Sequence, residues 1–216
     1  MRTLADCRLY GILDFGYVDP ALAGQTARFL IEGGIDIIQI RAKTLPEDSI
    51  AALVEDILPL TRSARIPLVI NDYPHLAGRC GADGVHLGQD DLPVAEARAA
   101  AGSPLLVGKS THSPKQAAAA IEEGADYLGF GPLFPTPTKP DYPAIGLEDI
   151  AAVTASSPVP VFCIGGIQPD NLPSVLQHGA QRVVLVSGLL RASDIPARTR
   201  QVRAVLDRFL PSRSPA

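Results

Sequence analysis

One pattern repeats along this chain. A short run of Val, Ile and Leu ends in polar residues, and an alanine-rich stretch with helical spacing follows. The apolar runs fall at 8–13, 36–40, 67–70, 84–87, 105–107, 127–130, 159–164 and 183–186. Helical stretches are expected at 21–32, 46–63, 93–101, 114–123, 147–155, 169–177 and 195–210. Only the short segment 73–80 is available between the third and fourth runs. Strands this apolar are buried on both faces, as in a parallel sheet covered by helices. Eight alternating units predict a single (βα)8 TIM barrel of the α/β class over residues 1–210, with 211–216 as a disordered tail.

The punctuation agrees. Gly33-Gly34, Gly81, Gly102, Gly124 and Gly179 follow helical stretches, where a left-handed cap favours glycine. Pro46, Pro93, Pro114 and Pro169 stand near helix starts, where a missing N–H costs little. Gly81-Ala82-Asp83, Gly124-Ala125-Asp126 and Gly179-Ala180-Gln181 echo one another between a helix and the next strand. An open doubly wound sheet is the alternative architecture. Its dinucleotide-binding version lacks the GxGxxG turn after the first run.

A chain of 216 residues, 46% of them hydrophobic, suffices for one domain with a full core. A net charge of −4 without a basic run argues against a nucleic-acid partner. No apolar stretch approaches the roughly 18 residues of a membrane span. Asp6 and Arg8 interrupt the start before any leader-like run, so a cytoplasmic protein is expected. Cys7, Cys80 and Cys163 are widely spaced and read as reduced thiols.

In a barrel enzyme the chemistry sits where strands end. The second strand leaves through Gln39-Ile40-Arg41-Ala42-Lys43, whose alternation puts Gln39 and Arg41 on one side. The third ends in Asn71-Asp72, and the fourth in His86 and a loop carrying Asp91. Paired carboxylates at a phosphate site suit Mg2+, although helix capping is a serious rival role for Asp72 and Asp91. A lone His86 is more often structural than a ligand contact, but its strand-end position favours contact. The fifth strand ends in Lys109-Ser110-Thr111-His112. After the sixth, Thr136, Thr138 and Lys139 stand in a proline-stiffened loop and can hold a phosphate. After the seventh and eighth, Gly165-Gly166 and Val186-Ser187-Gly188 offer backbone N–H groups, in the turns where this architecture commonly binds phosphate. The residues describe a mouth with two anion sites.

The ordered set QIRAK, INDY, GADGVHLGQDDLP, GKSTHS, GADYLGFGPLFPTPTK, CIGGI and VVLVSG resembles the thiamine-phosphate synthase family, from the first strand to the last helix. That resemblance implies a transferase. It would join 4-amino-2-methyl-5-(diphosphooxymethyl)pyrimidine to 4-methyl-5-(2-phosphooxyethyl)thiazole, giving thiamine phosphate and diphosphate. It implies pyrimidine-diphosphate contacts at Gln39, Arg41 and Lys43, a substrate position at Asn71, and Mg2+ ligands at Asp72 and Asp91. Ser110, Thr136, Thr138 and Lys139 match further diphosphate or substrate contacts, and Gly166, Val186 and Ser187 the thiazole-phosphate cradle. Arg41, Ser110 and Lys139 are the catalytic candidates, with His86 as an added substrate contact. The partners expected are the two phosphorylated small molecules, with a homodimer left open.

This chain departs from the family pattern in places. Ala42 stands where an acidic residue is usual, on the side of the strand away from Gln39 and Arg41. Lys109 precedes the serine, where the family often has an apolar or a basic residue. Asp14-Phe15-Gly16-Tyr17 departs from the usual end of the first strand, so no site residue is carried over there. The rival readings are a thiazole tautomerase on the same scaffold and a non-catalytic sensor of phosphorylated ligands. Asn71, Asp72, Asp91, Thr136, Thr138 and Lys139 together favour the synthase, because proton transfer on a thiazole does not need the whole diphosphate and metal set.

Overall fold

The structure is a computed structural model that describes residues 2–138 and 142–210. The expected tail at 211–216 and Lys139 lie outside the described residues. Eight parallel strands close into a barrel in sequence order, β1 pairing with both β2 and β8. They are β1 (Leu9–Asp14), β2 (Ile37–Arg41), β3 (Leu68–Asn71), β4 (Gly84–Leu87), β5 (Leu106–Thr111), β6 (Tyr127–Phe130), β7 (Val161–Cys163) and β8 (Val183–Leu185). The helices are α1 (Ala23–Glu32), α2 (Glu47–Ala64), α3 (Pro74–Cys80), α4 (Val94–Ala101), α5 (Pro114–Glu122), α6 (Ile150–Ser156), α7 (Leu172–Gln177), α8 (Ser187–Leu190) and α9 (Ile195–Phe209). The single-barrel expectation holds, and the open sheet is excluded by the β1–β8 pairing. None of the described helices is long and apolar enough to cross a membrane.

Strand alternation divides the apolar residues into two cores. One fills the shell between strands and helices. The other plugs the barrel and is built on Tyr10, Ile12, Ile37, Val69, Tyr127, Phe162 and Val184. Tyr10, Tyr127 and Phe162 pack ring to ring, the two contacts to Phe162 being edge-on at 5.4 and 5.7 Å between centroids. Their bulk is matched by missing bulk on the neighbouring strand. A Cβ on Gly108 would lie 2.1 Å from Cζ of Tyr127.

The Gly-Ala-Asp echoes have a structural cause. Asp83 Oδ2 accepts the N–H of Leu68 at 2.8 Å, and Asp126 Oδ2 accepts that of Val107 at 2.7 Å. Asp36 likewise accepts from Arg8 and Leu9 at 2.8 and 2.9 Å. Each carboxylate caps the start of the preceding strand, where the N–H would otherwise be buried unsatisfied. Asp36, fully buried, also pairs with Arg2 and Arg203. These ties lie at the strand starts, the end that stabilises a barrel, and leave the strand ends for chemistry.

Two helices begin about one turn later than the spacing predicts, at Ile150 and Leu172. In the second case Asn171 folds the preceding residues into a turn, accepting the N–H of Gln168 at 2.8 Å. β5 runs on to Thr111, past the expected stop at 107. Cys7, Cys80 and Cys163 are free thiols.

Candidate active site

β2 delivers Gln39 and Arg41 to the barrel interior, as alternation requires. Gln39 is 2% exposed and donates through Nε2 to the Tyr10 hydroxyl at 2.7 Å. The Arg41 guanidinium pairs with Asp14 Oδ2 at 2.6 Å. Just past the strand, Lys43 Nζ meets Asp72 Oδ2 at 2.6 Å. Ala42 turns outward into the shell core, so its departure from the family pattern is a packing change. Asn71 and His86 stand opposite each other in the β3–β4 register, and both line the mouth. His86 contacts the Tyr127 hydroxyl through Nδ1 at 3.2 Å and Ser110 Oγ through Nε2 at 3.0 Å.

The carboxylates of Asp72 and Asp91 do not cap helices. The residues at the starts of α3 and α4 are Tyr73 and Pro93, and neither helix has a side-chain cap. Asp91 Oδ2 accepts the N–H of Gly88 at 2.6 Å, which folds its own loop. Asp72 adopts a left-handed backbone, φ +68°, a conformation that costs a non-glycine residue about 1–3 kcal/mol and concentrates at functional sites. Burial pushes the Asp72 carboxyl above its usual range. The facing Asp91 charge adds to this, and Lys43 opposes it. Two carboxylates facing each other across a desolvated gap, beside cations, form a donor set that fits one hard divalent ion sharing its shell with phosphate oxygens. Among the described residues no cluster of three or more His, Cys, Asp and Glu side chains forms a protein-only metal cage.

The loop after β6 is sewn to the turn after β7. Leu133 N–H donates to the Ile164 carbonyl at 2.9 Å, and Phe134 N–H to that of Gly165 at 3.1 Å. Gly166, at φ +66°, leaves no room for a side chain. A Cβ there would sit 2.7 Å from Cβ of Phe134 and 2.9 Å from the Pro135 carbonyl oxygen. Gly166 is therefore demanded by the neighbouring loop as well as by any phosphate it approaches. Asn171 braces the same turn, donating to the Gly166 carbonyl at 3.0 Å. Gln168 Nε2 reaches Ser187 Oγ at 3.3 Å, joining this turn to the next. β8 stops at Leu185, one residue short of the expected end, and Val186 leads into the short helix α8. A short extra helix after the eighth strand is the usual companion of a barrel phosphate site. On the far side of the β6 loop, Thr136 Oγ1 accepts the Thr138 N–H at 3.3 Å, and Thr138 Oγ1 pairs with the Tyr17 hydroxyl at 3.1 Å.

These groups surround one continuous mouth with two compartments. The inner cavity is partly apolar and is lined by Ile12, Gln39, His86, Ile164, Gly166 and Val186 among others. The outer basin carries Lys43, Asp72, Asp90, Asp91 and Gln89. Arg41, Asn71, Ser110 and Thr138 line both. Ser187 lines the inner cavity and Tyr142 the outer basin.

Sequence reasoning missed several residues that shape this site. Asp14 and Tyr17 come from the segment that departs from the family pattern, yet one holds Arg41 and the other Thr138. Tyr127 and Asn171 act through partners remote in the chain or through a turn. A polar residue ending an otherwise apolar strand was the signal available for Asp14. Lys109, by contrast, points away from the mouth. Its side chain is 6% exposed and its Nζ lies 3.8 Å from Glu123.

Comparison with known proteins gives the family. The family model described as thiamine monophosphate synthase matches residues 9–189. A thiamine-phosphate synthase of Thermus thermophilus is 44% identical over 195 residues, 90% of this chain and 92% of the relative. One of Lawsonia intracellularis is 41% identical over 202 residues, 93% of each. Among solved structures, a thiamine phosphate pyrophosphorylase from Pyrococcus furiosus superposes with a TM-score of 0.87 at 33% identity, covering 94% of this chain and 97% of that one.

Proposed function

This chain belongs to the thiamine monophosphate synthase family, and we propose that its two-compartment mouth makes thiamine phosphate by a dissociative substitution. It is a thiamine-phosphate synthase, a transferase. The observation that carries the mechanism is the shared wall of the two compartments, Arg41, Asn71, Ser110 and Thr138. In the proposed pose the pyrimidine lies in the inner cavity and its diphosphate in the outer basin. The bond that breaks then crosses that wall.

Arg41 and Lys43 exchange their carboxylate partners for diphosphate oxygens. Thr136, Thr138 and Lys139 close on the same group, Gln39 and Asn71 hold the pyrimidine end against the His86 ring, and Ser110 stands at the oxygen that leaves. Gly166, Val186 and Ser187 cradle the thiazole phosphate, which aims the thiazole nitrogen at the methylene carbon. The C–O bond breaks with its electron pair leaving on diphosphate. The aminopyrimidine spreads the positive charge left on the methylene, and the thiazole nitrogen lone pair forms the C–N bond. No proton moves and no protein nucleophile is needed. Mg2+ held by Asp72 and Asp91 would neutralise charge on the diphosphate. The chain's own contributions are orientation, charge stabilisation and exclusion of water from the cation. The reading has no role for nucleic acid or a membrane surface. It places the enzyme in the cytoplasm, where a homodimer is compatible with a site drawn from one chain.

Incubation with both substrates and Mg2+, followed by mass spectrometry, tests the reading. Thiamine phosphate and diphosphate in equal amounts are expected. Substrate binding without diphosphate release would refute it in favour of a sensor.

A further inference from the structure

Beneath the inner cavity a chain of hydrogen bonds crosses the barrel from β2 to β5. Gln39 Nε2 donates to the Tyr10 hydroxyl at 2.7 Å. The Tyr10 and Tyr127 hydroxyls are 3.1 Å apart. Tyr127 meets His86 Nδ1 at 3.2 Å, and His86 Nε2 meets Ser110 Oγ at 3.0 Å. The two phenols are fully buried, and burial is the main cause that pushes both above their ordinary titration range, so each keeps its one hydrogen.

The donor count sets the direction of the chain. Tyr10 accepts from Gln39, and among the described residues Tyr127 is the other partner of its hydroxyl, so passing its hydrogen to Tyr127 is the polarity that leaves no buried donor of the chain unpaired. Tyr127 accepts there and spends its own hydrogen on His86 Nδ1. A neutral imidazole that accepts at Nδ1 carries its hydrogen on Nε2 and donates it to Ser110. Among the described residues His86 is the hydrogen-bond partner of the Ser110 hydroxyl, and the serine accepts in that bond. Its own hydrogen is then directed into the mouth, at the wall shared by the two compartments.

We propose that Tyr10, Tyr127 and His86 are positioning residues whose hydrogen-bond chain fixes His86 as the Nε2–H tautomer and presents Ser110 as a donor to the leaving diphosphate oxygen. The reverse polarity would make Ser110 an acceptor, which an anionic leaving group repels. A donor aimed at the place where charge develops acts more on the transition state than on binding. This inference rests on the synthase reading for its consequence in catalysis, but the tautomer itself does not.

Two measurements separate the inference from that reading. In the first, 15N NMR of the ligand-free protein reads the His86 ring. The Nε2–H tautomer is expected in the wild type and a mixed population in Tyr127→Phe. A dominant Nδ1–H form in the wild type would overturn the proposal whether or not the protein makes thiamine phosphate. The second is single-turnover kinetics at saturating substrates. Tyr127→Phe keeps the ring against Gly108 and should slow the step about tenfold, the effect of one misdirected hydrogen bond, with thiazole affinity unchanged. In a Ser110→Ala background the same change should have no further effect, because Tyr127 acts through that serine. Tyr10→Phe, one link further back, should show a smaller loss with the same dependence on Ser110. Losses that add in the double variants would make the chain structural only.

Discussion

Replacing Gly166 with alanine separates the two demands on that glycine. Gly102 supplies the control, since its φ is +65° against +66° and a Cβ built on it meets nothing within 4 Å. Gly102→Ala therefore carries only the left-handed backbone cost, offset in part by the lower entropy of the unfolded chain, roughly 1 kcal/mol net. Gly166→Ala carries the same cost and a collision with Cβ of Phe134 at 2.7 Å and the Pro135 carbonyl oxygen at 2.9 Å. The Phe134 and Pro135 backbone must move, and overpacking of this kind adds about 1–3 kcal/mol. The expected total is roughly 2–4 kcal/mol, a fall in Tm on the order of 10 °C for a chain of this size. Because Phe134 and Pro135 lead into Thr136 and Thr138, the displacement should weaken the pyrimidine diphosphate as well as the thiazole phosphate. Thermal melts of both variants, with calorimetric titration of each substrate alone, check this. A Gly166→Ala protein as stable as Gly102→Ala, or a loss confined to the thiazole phosphate, would refute the reasoning.

Asp72→Asn should abolish most of the Mg2+-dependent turnover while raising the Tm of the metal-free protein. The raised Asp72 carboxyl favours the folded state below the ordinary carboxylate pKa, and that advantage is lost as pH rises through the higher folded value, so the gain on substitution should be full at neutral pH and absent in acid. Lys43 is half exposed and loses little with its partner, so melts from pH 4 to 8 that show no difference from wild type would count against the carboxylate pair. Lys109→Met should leave product formation unchanged and stability equal or higher by about 1 kcal/mol, because a buried lysine 3.8 Å from a half-exposed Glu123 recovers little of its desolvation cost. Urea unfolding that shows a loss above about 2 kcal/mol would contradict that. On the sequence alone, Lys139→Ala should lower the single-turnover rate about a hundredfold, with some loss of pyrimidine affinity and little effect on the thiazole; an unchanged chemical rate would reduce it to docking.

The barrel was legible because its signal is periodic and local. Each strand is apolar on both faces, and the left-handed glycines at 34, 81, 102, 124 and 179 mark where helices end. The strand ends were legible for a related reason: polar residues close several apolar runs, and Asn71, His86 and Ser110 all line the mouth, although Lys109 does not. What one dimension hides is pairing. Asp14 and Arg41 are 27 residues apart, and Tyr17 and Thr138 are 121 apart. The apolar run of the fifth strand stops at 107, where Gly108 interrupts it. In the barrel it is a continuation, since its missing side chain admits the Tyr127 ring. The same blindness hid the polar chain under the cavity, whose members lie on strands one, two, four, five and six.

The seam between the β6 loop and the β7 turn bears on how the two substrates sense each other. Residues 133 and 134 hydrogen-bond to the carbonyls of Ile164 and Gly165, and the missing side chains of Gly165 and Gly166 let the two backbones touch. Thr136 and Thr138, proposed to hold the diphosphate, extend from one edge of this seam, and the proposed thiazole-phosphate cradle is its other edge. A rigid seam means that ordering either edge lowers the conformational cost of ordering the other, which is positive coupling without any change of fold. The sign follows from the ties across the seam: the two backbone hydrogen bonds and the close approach at Gly165 and Gly166 oppose sliding, so ordering one edge favours order in the other. By linkage, saturating diphosphate should tighten thiazole-phosphate binding by the same factor as the reverse. A seam that slid freely would bind the two ligands independently.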